Sequence, residues 1–129
     1  MTRWTGTRPG KAVVVIKDLA ALHGPTSGTV TLPHHLMWQA VNVRTFDLAD
    51  PRKLRRLYEI VLREARGDKD LVEWLDGESL QALWPSLHLP HGVRHVWEMS
   101  HPSLSAIREA SPDQVNPTYE RWLAQRWAA

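Results

Sequence analysis

The chain has no cysteine in its 129 residues. Disulfides, thiol nucleophiles and any zinc site with a cysteine ligand are therefore excluded. No apolar run approaches the roughly 20 residues of a membrane-spanning helix. The apolar stretch behind the basic start MTRWTGTRPGK, residues 12–16, is too short for a signal-peptide core, so a cytoplasmic protein is expected. An excess of one charge is also missing. Sixteen basic residues stand against fourteen acidic ones, a net charge of +2. The pI of about 9.3 then reflects a flat titration curve, and nucleic-acid binding would need a local basic patch rather than overall charge. Internal repeats and low-complexity segments are absent as well. There is one phenylalanine, against seven tryptophans. Trp brings a large apolar area and one N–H that wants a partner. Trp38, Trp74, Trp84 and Trp97 fall in structured-looking segments and are expected in the core. Trp4, Trp122 and Trp127 lie near the ends, where they either pack the termini down or form an exposed partner surface.

The longest amphipathic segment sets the architecture. Asp50 offers a carboxylate to cap a helix, and Pro51 suits the first helical position because its missing N–H would have no partner there. Leu54, Leu57, Tyr58, Val61, Leu62 and Ala65 follow at three- and four-residue steps, with Arg52, Arg55, Arg56, Glu59, Arg63 and Arg66 largely off that stripe. Glu59 and Arg63 stand in the favourable i,i+4 order. Gly67 is expected to end the helix in a left-handed cap, which places it at about residues 51–66.

Before this helix the pattern reads as a small β element. Val13 to Ile16 is a β-branched run. Asp18 can cap a short turn that Gly24-Pro25 ends. Thr29 to Leu32 reads as a strand limited by Pro33, and Trp38 to Thr45 alternates like another. Two or three such strands are marginal alone and need helices to pack on. After the helix come short ones. Asp68 can cap a helix over residues 69–75, Asp76-Gly77 is a turn, residues 78–84 form a helix that Pro85 breaks, and Leu87-His88-Leu89 is extended. Pro90 opens a helix to about Met99, and Ser103 can cap another to Ala110. The expected fold is predominantly α (α+β): short helices around one central helix, with a small N-terminal β element. The expected division is a flexible arm over 1–11, a single globular domain over 12–110, and a linker with a C-terminal helix over 111–129. That last helix places Tyr119, Trp122, Leu123 and Trp127 on one side, a candidate partner-binding face.

The residues offer little chemistry. His88, His91 and His95 invite a metal reading, since His91 and His95 share a helical face at the spacing of two imidazole ligands, with Glu98 and His101 nearby. No second motif supplies a fixed further ligand, so solvated histidines are the preferred reading and no cofactor is expected. His34 and His35 are adjacent and, in extended chain, point to opposite sides. The segment GPTSG over 24–28 lacks the G-x-S-x-G spacing of a nucleophile elbow and the G-K-[ST] of a P-loop. No carboxylate pair stands out as acid and base. An enzyme is therefore not expected; were there one, a deep polar pocket around His88, His91 and His95 would be its mark. The cluster Arg52, Lys53, Arg55 and Arg56 is the best phosphate-contacting candidate, against the preferred reading of a solvated helix face. The helix carrying His91, Arg94 and His95 outward is a weaker candidate reader of DNA.

Four segments carry a family resemblance: LAALHGPTSGTVTLPHHLMW (19–38), FDLADPRKLRRLYEIVLREA (46–65), LVEWLDGESLQALWPSLHLPHGVR (71–94) and WEMSHPSL (97–104). Together they resemble small, mostly uncharacterised actinobacterial proteins whose genes are often found beside a nucleotidyltransferase-like toxin of the AbiE type. The resemblance covers about two thirds of the chain, and its motifs are caps, turns and Trp anchors that carry over no catalytic residue. It implies a non-enzymatic interaction protein, the antitoxin or accessory partner of such a toxin, acting by covering the partner's active site or by silencing a shared promoter. A small DNA-binding regulator is the alternative, and a histidine-based metal protein or enzyme the second alternative.

Overall fold

The computed structural model describes residues 13–110. The expectations for the arm over 1–11, for Trp4, and for the linker and C-terminal helix over 111–129 with Tyr119, Trp122 and Trp127 lie outside the described residues. Within them, strands β1 (Thr29–Thr31) and β2 (Thr45–Asp47) pair antiparallel. Five helices follow: α1 (Pro51–Glu64), α2 (Asp68–Trp74), α3 (Gly77–Leu83), α4 (His91–Ser100) and α5 (Pro102–Ala110). A 3-10 turn at Leu19–Ala21 precedes the strands, and another at Trp84–Ser86 leads out of α3. The fold is thus predominantly helical with a small β element, as its patterning implies.

Helix α1 is the centre. The Asp50 carboxylate accepts the Arg52 N–H at 3.0 Å and Pro51 occupies the first turn. Leu54, Leu57, Tyr58, Ile60, Val61 and Leu62 are all buried. Removing each such side chain from water is worth about 1.5–3 kcal/mol, and α1 carries more buried residues than any other element described. Glu59 is buried too, at 8% exposure. Instead of pairing with Arg63, it turns its carboxylate to the His88 N–H, 2.8 Å away. Arg63 keeps a buried Nε with no hydrogen-bond partner among the described residues.

Several boundaries differ from expectation. Gly67 is no left-handed cap. The helix stops at Glu64 and leaves through Ala65 in an extended conformation (φ −54°, ψ 136°), because the Arg66 N–H, which would extend the helical ladder, is taken by the Asp70 carboxylate at 2.9 Å. Gly67 is itself extended and stands at the N-cap of α2, where Asp68 makes no capping bond. Asp76, expected as a turn residue, caps α3 by accepting from the Ser79 N–H and hydroxyl. Ser103 lies within α5 behind Pro102, which suits the first helical position. Val13 to Ile16 is not a strand. It packs on the core as irregular chain, and a side chain supplies the bond a strand partner would, the His101 imidazole donating to the Ile16 carbonyl at 2.7 Å. The strand expected over Trp38 to Thr45 is replaced by a turn at residues 41–43, and another turn precedes it at 34–36. Leu36 and Met37 donate to the Pro33 carbonyl, and Val43 and Arg44 to that of Ala40. Only Thr45–Asp47 continues as strand, pairing Thr29 with Asp47, Val30 with Phe46 and Thr31 with Thr45.

The segment before β1 is zipped to the α2–α3 junction by its backbone. His23 donates to the Val72 carbonyl, Gly24 to that of Leu75, and Gly77 to that of Leu22. The approach is close enough to require glycine on both sides. A Cβ on Gly24 would lie 2.5 Å from the Trp74 carbonyl carbon, and one on Gly77 would lie 2.5 Å from the Leu19 oxygen. Backbone cannot yield as a flexible side chain would. Gly24→Ala and Gly77→Ala are each expected to cost about 1–3 kcal/mol in urea denaturation. Gly67→Ala, whose Cβ would meet nothing within 4 Å, is expected to stay within about 0.5 kcal/mol of the parent.

Candidate interaction surface

The connection between the strands, residues 33–44, departs furthest from a core segment. Trp38 is 86% exposed, Val41 58% and Val43 47%. The patterning places Trp38 in the core, whereas the structure holds it in water. The buried residues on either side, Leu32 and Leu36 before it and Phe46 after it, absorb the available core space, and the turn at Pro33 carries the intervening chain outward. Two of the other three internal tryptophans, Trp84 and Trp97, are fully buried as expected, and Trp74 is half-buried.

The exposed loop is braced along its length. The Arg44 guanidinium donates to the carbonyls of Leu32 (2.7 Å) and Gln39 (3.0 Å). The Thr45 hydroxyl donates to the Val41 carbonyl at 2.6 Å and shares a hydrogen bond with the Thr31 hydroxyl. At its start, His35 Nε2 lies 2.7 Å from Asp70 Oδ1 and ties the loop to α2. A shallow cleft of about 390 Å³ lined by His34, Trp38, Gln39 and Ala40 lies on this loop. A second, of about 480 Å³, lies between the Leu19–Ala21 turn and the start of α3, with Asp76, Glu78 and Gln81 on its wall. A large aromatic side chain held out in water on a loop whose backbone is already ordered is a pre-organised anchor. It meets a partner with little further loss of conformational entropy.

Comparison of the chain with protein-family models, with curated proteins and with solved structures finds no match.

The basic cluster stays together on the first two turns of α1. Arg52, Lys53 and Arg56 are exposed and Arg55 is half-buried. No acidic residue occupies that first turn, and among the described residues no ion pair engages the four. The histidines do not assemble. His91 and His95 stack at 6.2 Å between ring centroids, and His88 sits on the connector before α4. Among the described residues no three histidine, aspartate or glutamate side chains are grouped to hold a metal ion. Neither cleft is lined by any of these three histidines.

Arg94 does not face outward as a DNA reader would. It is half-buried, its guanidinium lies 4.9 Å from the Trp84 ring centroid, and it donates to the Trp84 and Leu87 carbonyls. Glu98 anchors the same cluster. Its carboxylate accepts from the Trp84 indole at 2.9 Å and from two nitrogens of Arg108 at 2.6 and 3.0 Å. Burial opposes ionisation of Glu98. The hydrogen bonds from Arg108 and Trp84, with the charges of Arg108 and Arg94, outweigh it, and the carboxyl lies below the usual carboxylate range. Asp70 behaves alike. Burial raises it, but the Arg66 N–H and the His35 hydrogen bond prevail and lower it.

These two groups set an acid limit on stability. A carboxyl whose folded pKa is depressed contributes stability that is complete above its unfolded-chain value and is lost as pH falls through the folded value. The unfolded values are about 3.9 for Asp and 4.3 for Glu. Urea midpoints measured at descending pH should therefore fall below about pH 4. The slope should flatten in Asp70→Asn and Glu98→Gln, which no longer titrate there.

Proposed function

We propose that this chain is a non-enzymatic interaction protein that engages a protein partner through the loop over residues 33–44, with Trp38 as the anchor. The observation that carries the reading is the 86% exposure of Trp38 on a backbone braced by Arg44, Thr45 and His35. Leaving so much apolar area in water forgoes the stabilisation its burial would give, and Trp is the side chain most enriched at the energetic centres of interfaces. Val41 and Val43 widen the apolar surface around it. Tyr119, Trp122 and Trp127 offer the same kind of side chain outside the described residues. The finer reading is an antitoxin or accessory partner of a nucleotidyltransferase-type toxin, supported by the resemblance carried on residues 19–38, 46–65, 71–94 and 97–104.

A second reading is favoured by a specific observation. Arg52, Lys53 and Arg56 are exposed on the opening turns of a helix whose first turn has no acid to offset them. Cations at a helix N-terminus work against its dipole, and a phosphate backbone would relieve that repulsion. This reading makes the chain a small DNA-binding regulator.

Co-expression with the product of the neighbouring gene, followed by size exclusion, tests the first reading. A co-eluting complex is expected with the parent chain. Its affinity should fall by about 2 kcal/mol or more with Trp38→Ala, while the stability of the free chain changes by less than about 0.5 kcal/mol. A complex indifferent to Trp38→Ala would remove the loop as the site. For the second reading, DNA affinity should fall steeply between 50 and 200 mM salt, roughly following the dependence on the number of phosphates neutralised. Replacing Arg52, Lys53 and Arg56 together by Gln should flatten that dependence. Salt-insensitive or absent binding would reject it.

A further inference from the structure

Resting on the interaction reading of the Trp38 loop, we infer that its partner presents an apolar side chain flanked by carboxylates, an acidic and hydrophobic peptide segment. The inference comes from the charge of the surface around the anchor. Residues 33–46, PHHLMWQAVNVRTF, contain no aspartate or glutamate and carry His34, His35 and Arg44. Three cations of the described chain, each with a part-buried carboxylate beside it, are paired. Arg94 and Arg108 share Glu98, and His35 has Asp70. Arg44 has none. It is half-buried beneath the loop, and its hydrogen bonds go to two neutral carbonyls, those of Leu32 and Gln39.

A guanidinium held among carbonyl dipoles leaves its full positive charge close to the protein surface. That charge is weakly screened where a docked partner excludes water. The cleft beside it is lined by His34, Trp38, Gln39 and Ala40, which supply an aromatic wall, a backbone platform and side-chain donors. Two carboxylates border the loop: Asp70 of α2, whose oxygens meet the His35 ring and the Arg66 N–H, and Asp47 at the end of β2, which accepts the Ala49 N–H. The loop thus pairs an apolar anchor with a guanidinium that meets only neutral carbonyls. An apolar side chain seated against Trp38, with a carboxylate near Arg44 and His34, satisfies both. A basic segment would meet the Arg44 charge, with no acid within residues 33–46 to relieve it.

The test uses the full chain and a displayed library of short random peptides, selected on the parent and counter-selected on Trp38→Ala. Enriched peptides are expected to carry an aromatic or large aliphatic residue close to Asp or Glu, and to lose roughly 30-fold in affinity with Trp38→Ala. The charge arm is read at Gln39, whose exposed side chain makes none of the bonds that brace the loop. Gln39→Glu should weaken the selected peptides several-fold and Gln39→Lys tighten them, both effects shrinking as salt is raised. Trp38-dependent peptides that are neutral or basic, or that bind Gln39→Glu as tightly as the parent, would overturn the acidic partner while leaving the loop as a site. A library that yields no Trp38-dependent peptide would overturn both.

Discussion

The burial of helix α1 is the constraint on which the rest of the molecule depends. Its sequence runs six large apolar side chains through positions that face the core, and Tyr58 among them is fully buried. A helix so apolar cannot stand against water on more than one side. β2 and α2 pack on it directly, and its buried residues share one core with Trp84, Val93, Trp97 and Leu104 from the later elements. Tyr58 also fixes a relation in space. Its hydroxyl accepts the Asp76 N–H at 2.9 Å, so the centre of α1 registers the α2–α3 junction, where Gly24 and Gly77 allow the N-terminal segment to close down.

The polar side chains that might have done chemistry are spent on holding this arrangement. Glu59 satisfies a connector N–H, Asp70 ties α2 to the strand connection, Asp76 caps α3, and Glu98 draws together Trp84, Arg94 and Arg108. Each of these four carboxylates has a partner, and leaving one unpartnered would cost about 1–3 kcal/mol. An arginine that binds backbone carbonyls and stacks on an indole is equally committed. These groups are therefore committed to the fold. The proposed readings rest instead on the surface, on the braced, tryptophan-bearing loop and the basic opening of α1.

Much of the helical part was legible in the residues. Asp50 and Pro51 start α1, the three- and four-residue spacing names its buried face, Pro85 and the turn at Asp76 divide the short helices, and Pro90 opens α4. These signals are local, carried by caps, fixed φ angles and a periodicity that a few neighbouring residues suffice to express. The strands were harder. Val13 to Ile16 has β propensity but finds no strand partner among the described residues, and the alternation after Leu36 survives only in Thr45–Asp47. Strand formation depends on a second segment, and a β-branched run without one packs as irregular chain.

The candidate surface was missed for a related reason. Nothing in the composition around Trp38 separates it from Trp84 or Trp97. The hints were Gln39 and Asn42 beside it and Pro33 ahead of it, which mark a turn rather than a strand. The residues themselves were enough to decide where helices begin and end and which side of each is apolar, because those are properties of chain segments a few turns long. Which tryptophan faces water, which arginine is buried on an indole and which carboxylate is already taken were decided only when distant segments competed for one core. Burial and hydrogen-bond pairing belong to the assembled volume and not to any stretch of chain.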